Sequence, residues 1–270
     1  RDLIGYAQDA AGQRGVRLTV QLTTNGTHLT PVILDEALAL GVQLAVSMDG
    51  LPDVHDRFRP FRGGRGSSGA ALLAIDLLVA SGASFVVNSV VRPETVDRLA
   101  DGVRFLVERG VTTILPSLDY SAPWSADDAD RLKHAVAGLR RVYVEHFPAI
   151  QIGWIETKVL LLAGPSLVRP SCGSELEVAV APSGRLYPCE RMVADDATDL
   201  GLGHVYEQGP LRVLRKRSAP GVDAACGDCS SATLCANDCA CANVGRTGRA
   251  DLPDGLICAL EQACIEEAAR

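Results

Sequence analysis

The first 171 residues of this 270-residue sequence contain no cysteine, although the whole chain has nine. Long hydrophobic runs are absent as well, because no apolar stretch approaches the roughly 18 residues that a membrane-spanning helix needs. The start of the sequence shows no signal-peptide pattern. We therefore expect a cytoplasmic protein that has no membrane partner.

A strong excess of one charge is also missing. The sequence has 26 Lys and Arg against 33 Asp and Glu, a net charge of −7, and the two signs are interspersed along most of the chain. This pattern argues against a basic binding surface, so we expect no nucleic-acid partner. Because 47% of the residues are hydrophobic, we expect a sizeable core and no extensive disorder.

Up to about residue 145, short apolar runs rich in β-branched residues alternate with longer segments of helical periodicity. The runs are nearly continuous in apolar residues, as expected for a parallel sheet that is buried on both faces. The predicted strands are Val16–Thr23, Val42–Met48, Ser84–Val91 and Val111–Leu115. The predicted helices are Pro31–Leu40, Gly69–Ala80, Thr95–Glu108 and Ala126–Phe147. Such a series of βα units predicts a parallel β/α barrel or an open sheet.

Polar and glycine residues follow several of these predicted strands. In parallel β/α folds the chemistry lies at the carboxyl ends of the strands, so these residues mark a candidate site. The motifs are Thr24-Asn25-Gly26, Ser47-Met48-Asp49-Gly50, His55-Asp56-Arg57-Phe58-Arg59 and Leu115-Pro116-Ser117-Leu118-Asp119.

After about residue 148 the pattern changes to one that is typical of short strands and loops. Leu176–Ala181 and Leu186–Cys189 predict a β-hairpin whose turn contains Pro182 and Gly184. The segment between Cys226 and Cys258 has little periodicity, and we expect a metal centre to stabilise it in place of an apolar core.

The cysteine spacing is the most specific signal in the sequence. Cys172 is followed by Gly184 and Cys189, and then come Cys226-x2-Cys229-x5-Cys235-x3-Cys239 and, eighteen residues later, Cys258. Thiolates are suitable ligands for the irons of a [4Fe–4S] cluster. Zinc ribbons use similar repeats, and disulfides are a third alternative. The spacing alone favours clusters over zinc.

This cysteine framework resembles the seven-cysteine SPASM domain of radical S-adenosylmethionine (radical SAM) enzymes. The motifs Thr24-Asn25-Gly26-Thr27, Ser47-Met48-Asp49-Gly50 and His55-Asp56-Arg57-Phe58-Arg59 are similar to the core of anaerobic sulfatase-maturating enzymes and peptide-modifying maturases. The resemblance implies a partial (β/α)6 TIM-like barrel that lacks its first units, over residues 1–148. It implies a cysteine-rich SPASM extension over residues 149–270.

The same resemblance implies two auxiliary [4Fe–4S] clusters. The implied ligands of the outer cluster are Cys226, Cys229, Cys235 and Cys258, and those of the inner cluster are Cys172, Cys189 and Cys239. Some relatives carry one more cysteine just before the position of Cys172, and this chain has none there. We therefore expect one iron of the inner cluster to be open to a substrate, a water or one of the spare cysteines, Cys241 and Cys264.

The resemblance also assigns four further residues. Ser47 and Arg59 match positions that hold the ribose and the carboxylate of S-adenosylmethionine (AdoMet), and Leu118 matches a backbone contact to its adenine. The alternatives are that Ser47 merely ends a strand, Arg59 pairs with an acidic neighbour and Leu118 lies in the core. Glu190 matches the position of a proton-accepting Asp in sulfatase maturases, and its alternative is a solvated surface carboxylate.

The Cys-x3-Cys-x2-Cys loop that holds the radical-generating cluster in this family is not present in these residues. Because the chain opens at Arg1 within a helical pattern, we expect this third cluster upstream and expect these residues alone to be inactive. The implied function is hydrogen abstraction from a peptide or protein side chain, with an electron donor as partner. The alternatives are sulfatase maturation to formylglycine and a noncatalytic, cluster-carrying or zinc-binding module that recognises peptides.

Overall fold

The computed structural model describes residues 2–164, 177–193, 196, 201–207, 226, 228–235, 239–249 and 252–270. The chain divides into two compact units. The first consists of Arg1–Asp119 and Asp130–Thr157, and the second of Tyr120–Ala129 and Lys158–Arg270. The domain boundary expected after residue 148 stays a prediction.

A five-stranded parallel sheet forms the centre of the first unit, and its strand order follows the sequence. The strands are β1 (Val20–Thr24), β2 (Val42–Ser47), β3 (Phe85–Val91), β4 (Thr113–Leu118) and β5 (Gln151–Ile152). Because neighbouring strands are parallel, their carboxyl ends meet at one edge of the sheet. The α/β class with a parallel sheet is thus confirmed, and the sheet is compatible with a partial TIM-like barrel.

Helices alternate with these strands. They are α1 (Asp2–Gln13), α2 (Pro31–Ala39), α3 (Pro52–Phe58), α4 (Ser68–Ser81), α5 (Leu99–Glu108), α6 (Asp127–His146) and α7 (Gly153–Ala163). Local capping explains several bounds: the Thr30 side chain accepts the Ile33 N–H at the start of α2, and Gly82 ends α4 in the left-handed conformation. None of the helices in the described ranges is long and apolar enough to cross a membrane.

Burial differs sharply between the edge and the centre of this sheet. Val46, Val87 and Ile114, in β2 to β4, are fully buried, as the apolar runs predict. In β1, by contrast, Leu22 is half exposed, so the expectation that every strand is covered on both faces is wrong for β1. The physical reason is position, because β1 is the edge strand and pairs only with β2 among the described residues.

Within its described part, the second unit contains the start of α6, the end of α7, a small antiparallel sheet and two further helices. Its strands are β6 (Ala179–Val180), β7 (Arg185–Tyr187) and β8 (Gly203–His204), and the further helices are α8 (Ala240–Thr247) and α9 (Gly255–Ala268). The predicted hairpin forms, and Gly184 at its turn has a φ of 90°, where a Cβ would lie 2.8 Å from the His204 ring.

Apolar packing around α8 and α9 corrects one expectation from the sequence. The segment from Cys226 to Cys258 does contribute to apolar packing, since Ala242 in α8 and Ile257 in α9 are buried. The helical periodicity of this segment was hard to detect because α9 begins at Gly255, close to the end of the segment. The Asp254 side chain caps this helix by accepting the Ile257 N–H.

Candidate functional site

Two predicted AdoMet-binding residues end strands at the same edge of the sheet. Ser47 is the last residue of β2 and is half buried, and it pairs in register with Asn88 of β3. Leu118 is the last residue of β4, and its side chain is buried in the core. The core alternative is therefore observed for the Leu118 side chain, while the backbone contact to adenine stays a prediction.

Arg59 follows α3 and forms a two-point ion pair with Asp49. Its Nε donates to Asp49 Oδ2 at 2.7 Å and its Nη2 donates to Oδ1 at 3.1 Å. The Asp49 side chain is 1% exposed and also accepts the Val90 N–H at 2.8 Å, whereas the Arg59 side chain is 31% exposed. The acidic partner expected as the alternative for Arg59 is thus present. Asp49 occupies two of the five N–H groups of a guanidinium, so three remain for a second anion.

His55 and Ser67 fix the loop that follows Arg59. The Asp49 backbone N–H donates to His55 Nδ1 at 3.2 Å, so Nε2 carries the ring proton and donates to Ser67 Oγ at 3.0 Å. Ser67 Oγ in turn donates to the Arg59 carbonyl oxygen. Burial lowers the pKa of His55, as does the Arg59 cation, against the opposing Asp49 carboxylate. These four residues, Asp49, His55, Arg59 and Ser67, form the Asp49 network.

Asp56 connects the same loop to the start of α4. Its two carboxylate oxygens accept the Ser68 backbone N–H at 2.7 Å and the Ser68 hydroxyl at 2.8 Å. Burial raises the pKa of Asp56, but the hydrogen bonds from Ser68 outweigh it and the net shift is downward. A Cβ on Gly66 would overlap the Asp56 carboxylate, so glycine at this position allows the close approach.

A second arginine lies at the end of β3. Arg92 Nε pairs with Asp119 Oδ2 at 3.0 Å, and its guanidinium stacks 4.4 Å from the centre of the Phe58 ring. Its Nη1 is buried and has no hydrogen-bond partner within the described part of the chain. The carboxyl edge of the sheet therefore presents cationic groups from two neighbouring strand ends.

Three cysteine sulfurs lie together in the second unit. Cys239 caps α8 and Cys241 lies in its first turn, with their Sγ atoms 3.2 Å apart. Cys189, which follows the hairpin, has its Sγ 3.7 Å from that of Cys241. We call Cys189, Cys239 and Cys241 the thiol trio. It joins two of the three implied inner-cluster ligands to a cysteine that the sequence left unassigned, and the third implied ligand, Cys172, lies outside the described residues.

These contacts shift the pKa values of two members of the thiol trio, Cys189 and Cys241. The interaction with Cys241 lowers the pKa of Cys189, against the opposing effects of burial and Glu190. Contacts with Cys189 and Cys239, together with burial, raise the pKa of Cys241 far above its usual range. Glu190 is exposed overall, but its Oε2 lies 3.6 Å from Cys189 Sγ. The predicted proton acceptor is therefore directly beside an implied cluster ligand.

The four implied ligands of the outer cluster, Cys226, Cys229, Cys235 and Cys258, are half buried, and we call them the outer thiols. Burial, followed by charge on Cys226, raises the pKa of Cys258. Lys158 Nζ donates to the Leu234 carbonyl at 2.9 Å and to Glu261 Oε2 at 2.6 Å, and this buried cation ties the cysteine loop to α9.

The donor chemistry of both thiol groups fits iron–sulfur clusters. Every cysteine within the described ranges is a free thiol, and sulfur is the ligand that [4Fe–4S] clusters require. Among the same described residues, no group of three or more His, Cys, Asp or Glu side chains is arranged to hold a single metal ion. A cluster spreads its thiolates over separate corners, so loading would require the sulfurs of the thiol trio to move apart.

Comparison with known proteins gives two kinds of match. AdoMet-dependent heme synthase from Methanosarcina barkeri is 26% identical over 260 residues, which are 87% of this chain and 71% of that protein. An uncharacterised protein from Methanocaldococcus jannaschii is 25% identical over 112 residues, 42% of this chain and 38% of that protein. No family model matches.

Solved structures of the anaerobic sulfatase-maturating enzyme anSMEcpe share the fold. Its native form with bound AdoMet has a TM-score of 0.74 at 16% identity and covers 97% of this chain and 76% of that chain. Its form with AdoMet and the Cp18Cys peptide has a TM-score of 0.75, covering 99% and 79%. The chain is thus similar in sequence to AdoMet-dependent heme synthase and in fold to AdoMet-bound anSMEcpe.

Sequence reasoning missed three residues that shape the first unit's candidate site. Asp49 lay in a recognised motif but received no role, and neither Ser67 nor Arg92 was assigned a function. Asp49 lies two residues after the end of β2 and precedes a histidine and an arginine by six and ten residues, and this spacing was the available signal. The roles of the predicted ligands and of Glu190 stay predictions.

Proposed function

We propose that this chain is the greater part of a radical SAM maturase that modifies a peptide or protein side chain by hydrogen abstraction. The observation that carries the proposal is the combination of a fold shared with AdoMet-bound anSMEcpe and free thiols gathered in the second unit. A peptide partner is supported by the shared fold of anSMEcpe with a bound peptide. An electron donor completes the proposed set of partners.

In this proposal, Ser47, Arg59 and the backbone of Leu118 hold AdoMet at the carboxyl edge of the sheet. Arg59 binds the AdoMet carboxylate through the N–H groups that Asp49 does not occupy, because a guanidinium can donate along two edges. Asp49 keeps the side chain oriented before AdoMet arrives, so less ordering is required on binding. When bound and reduced by a cluster, AdoMet supplies the 5′-deoxyadenosyl radical.

The cysteines of the second unit hold the two auxiliary clusters, which accept an electron or position the substrate. The outer thiols bind one cluster, and Cys172, Cys189 and Cys239 bind the other. Glu190 accepts the proton that a substrate radical releases as it loses its electron. Its support is the 3.6 Å separation between its carboxylate and the Sγ of Cys189, a proposed ligand of the electron-accepting cluster.

A second candidate function is favoured by the sequence match to AdoMet-dependent heme synthase, which spans 87% of this chain. In that case the chain carries out an AdoMet-dependent step of heme formation. Formylglycine formation from Cys or Ser is a third candidate, supported by the fold of anSMEcpe, although Glu190 replaces the Asp of sulfatase maturases. The remaining alternative is a module that recognises peptides, carries a cluster or zinc, and catalyses no reaction.

One experiment separates these candidates. The full-length protein is purified anaerobically, analysed for iron and zinc, and incubated with AdoMet, dithionite and either a peptide that contains Cys and Ser or an iron-containing tetrapyrrole. We expect iron and sulfide near eight per chain from the two auxiliary clusters alone, and 5′-deoxyadenosine formation in the presence of a Cys-x3-Cys-x2-Cys loop. A peptide mass shift without an aldehyde supports the maturase, a mass shift with an aldehyde supports sulfatase maturation, and heme formation supports the second candidate. Zinc without iron would contradict all the enzyme readings.

A further inference from the structure

Cys241 occupies a position that the implied ligand set does not explain. It is 9% exposed and lies in the small core formed with Ala181, Tyr187 and Met192. Its Sγ is the middle atom of the thiol trio, 3.2 Å from Cys239 Sγ and 3.7 Å from Cys189 Sγ. A cysteine that served only as a small apolar side chain would have no need to contact two proposed cluster ligands.

The inner cluster has one ligand position to fill. A [4Fe–4S] cluster has four irons and each needs a ligand, but the proposed set contains only three cysteines. Of the two spare cysteines, Cys264 has different surroundings from Cys241. It is 2% exposed within α9, and its pKa is raised by burial and by Glu261, while Lys158 opposes the shift. Its ionisable neighbours are therefore the Lys158–Glu261 ion pair.

We propose that Cys241 is the fourth protein ligand of the inner auxiliary cluster. This inference rests on the proposed function, because it takes an iron–sulfur cluster at Cys189 and Cys239 as given. Cys239 and Cys241 leave the first turn of α8 together, and Cys189 approaches from the hairpin, so two separate elements bring the three sulfurs to one place. A cluster with four thiolates has no open iron, so it exchanges electrons with the substrate without binding it.

The test compares Cys241→Ala with Cys264→Ala and wild type in the full chain after anaerobic reconstitution. The control removes an equally buried thiol from the same unit. A cluster held by three thiolates loses its unligated iron readily, so brief oxidation should remove about one more iron per chain from Cys241→Ala than from wild type and strengthen the [3Fe–4S] electron paramagnetic resonance signal. Wild type and Cys264→Ala should match each other, because only the three-cysteine cluster expected upstream can lose an iron in them. Loss of all four irons of the inner cluster from Cys241→Ala would also support ligation.

Two outcomes separate the failure of this inference from that of the proposed function. If Cys241→Ala matches Cys264→Ala in iron content and spectrum while wild type contains clusters, Cys241 is not a ligand and the proposed function stands. If wild type binds zinc and no iron, the proposed function itself is wrong. Should Cys241→Ala fail to fold by circular dichroism, Cys241→Ser preserves the volume, and an unchanged spectrum in that variant would overturn the inference.

Discussion

The carboxylate of Asp49 in the first unit is held by an arginine and a backbone amide, whereas the thiol trio in the second unit has sulfurs held against one another. The Asp49 carboxylate already has its hydrogen-bond donors without a ligand, which leaves three N–H groups of Arg59 for a second anion. A thiol is a weak hydrogen-bond donor and acceptor, so contacts between thiols stabilise the fold little. Binding of iron, which displaces the thiol protons, would stabilise it more. The comparison indicates that the first site is organised in advance, whereas in the proposed function the second is organised by the clusters that it would bind.

The largest expected effect is on the second site, from removing one of the outer thiols. Cys258→Ala should cost one cluster, about four irons per chain, because the remaining cysteines no longer complete the set. Hydrogen exchange should then show lost protection in residues 228–235 and at the start of α9, since metal binding and folding are coupled. Strands β2 to β4 should keep their protection.

The matched control for that prediction is Cys264→Ala, which removes a buried thiol without removing a proposed ligand. Its iron content should equal that of wild type. Equal loss of protection in β2 to β4 and α9 after Cys258→Ala would break the comparison, because it would mean that the first site also depends on the cluster.

The next largest effect is expected on the rate of product formation, from replacing Glu190. Glu190→Gln nearly preserves shape, so both clusters and AdoMet binding should be retained, while product formation falls by about 10²-fold, the usual scale for removing a general base. Cleavage of AdoMet to 5′-deoxyadenosine should continue without product, which chromatography of both compounds measures. Glu207→Gln, at another exposed glutamate, is the control. Undiminished product from Glu190→Gln would assign Glu190 as a surface carboxylate.

A smaller effect, a loss of stability, is expected from replacing Asp49 in the first site. Asp49→Ala removes a buried carboxylate and leaves the Arg59 guanidinium and the Val90 N–H without it. Because Arg59 is 31% exposed, water compensates in part, and we expect a loss of about 2–3 kcal/mol rather than the larger values for fully buried pairs. Urea denaturation measures this loss.

The control for Asp49 is an exposed ion pair in the same unit. Arg98 and Asp53 have side-chain exposures of 47% and 68%, so Asp53→Ala should cost no more than about 1 kcal/mol. AdoMet affinity should also fall in Asp49→Ala and not in Asp53→Ala, since only Asp49 orients Arg59. Equal stabilities of the two variants would contradict the view that the first site is organised by buried contacts.

The sequence predicted the central strands well and the sites only in part. The predicted ranges for β2 and β3 agree with the structure to within one residue at each end, because strands buried on both faces show continuous apolar runs. Helix α3 was assigned to a loop, since His55, Asp56 and Arg57 show no apolar periodicity. Its conformation depends on Ser67 and Ser68, which lie twelve residues from His55 and Asp56 in sequence. A local window cannot include such contacts.

Contact between the sulfurs of Cys189 and Cys241 could not be predicted from spacing either. These residues lie 52 positions apart, and they meet because the hairpin and α8 share one small core. The cysteine spacing indicated thiolate ligands, and the resemblance to SPASM domains implied how they divide between two clusters. Which spare cysteine joins the group depends on how α8 packs, and this is tertiary information.

The smallest expected effect is a pH dependence carried by His55 in the Asp49 network. Burial and Arg59 lower the pKa of His55 below its ordinary value of 6.5, with Asp49 and Asp56 acting in the opposite direction. A group whose pKa is lower in the folded state binds protons more readily when the protein is unfolded. The contribution of His55 to the free energy of unfolding is therefore fully present above pH 6.5 and is lost as the pH falls through the folded pKa. His55→Gln can accept the Asp49 N–H and donate to Ser67 without titrating.

Urea denaturation of wild type and His55→Gln at several pH values between about 7.5 and 5 checks this prediction. The free energy of unfolding of wild type should fall more steeply with acid than that of His55→Gln, because only wild type has to protonate or release a buried imidazole. His134→Gln, at an exposed histidine on α6, should follow the wild-type slope. Parallel slopes for wild type and His55→Gln would mean that protonation of His55 does not destabilise the folded state. The donor and acceptor roles assigned to the His55 ring nitrogens would then be wrong.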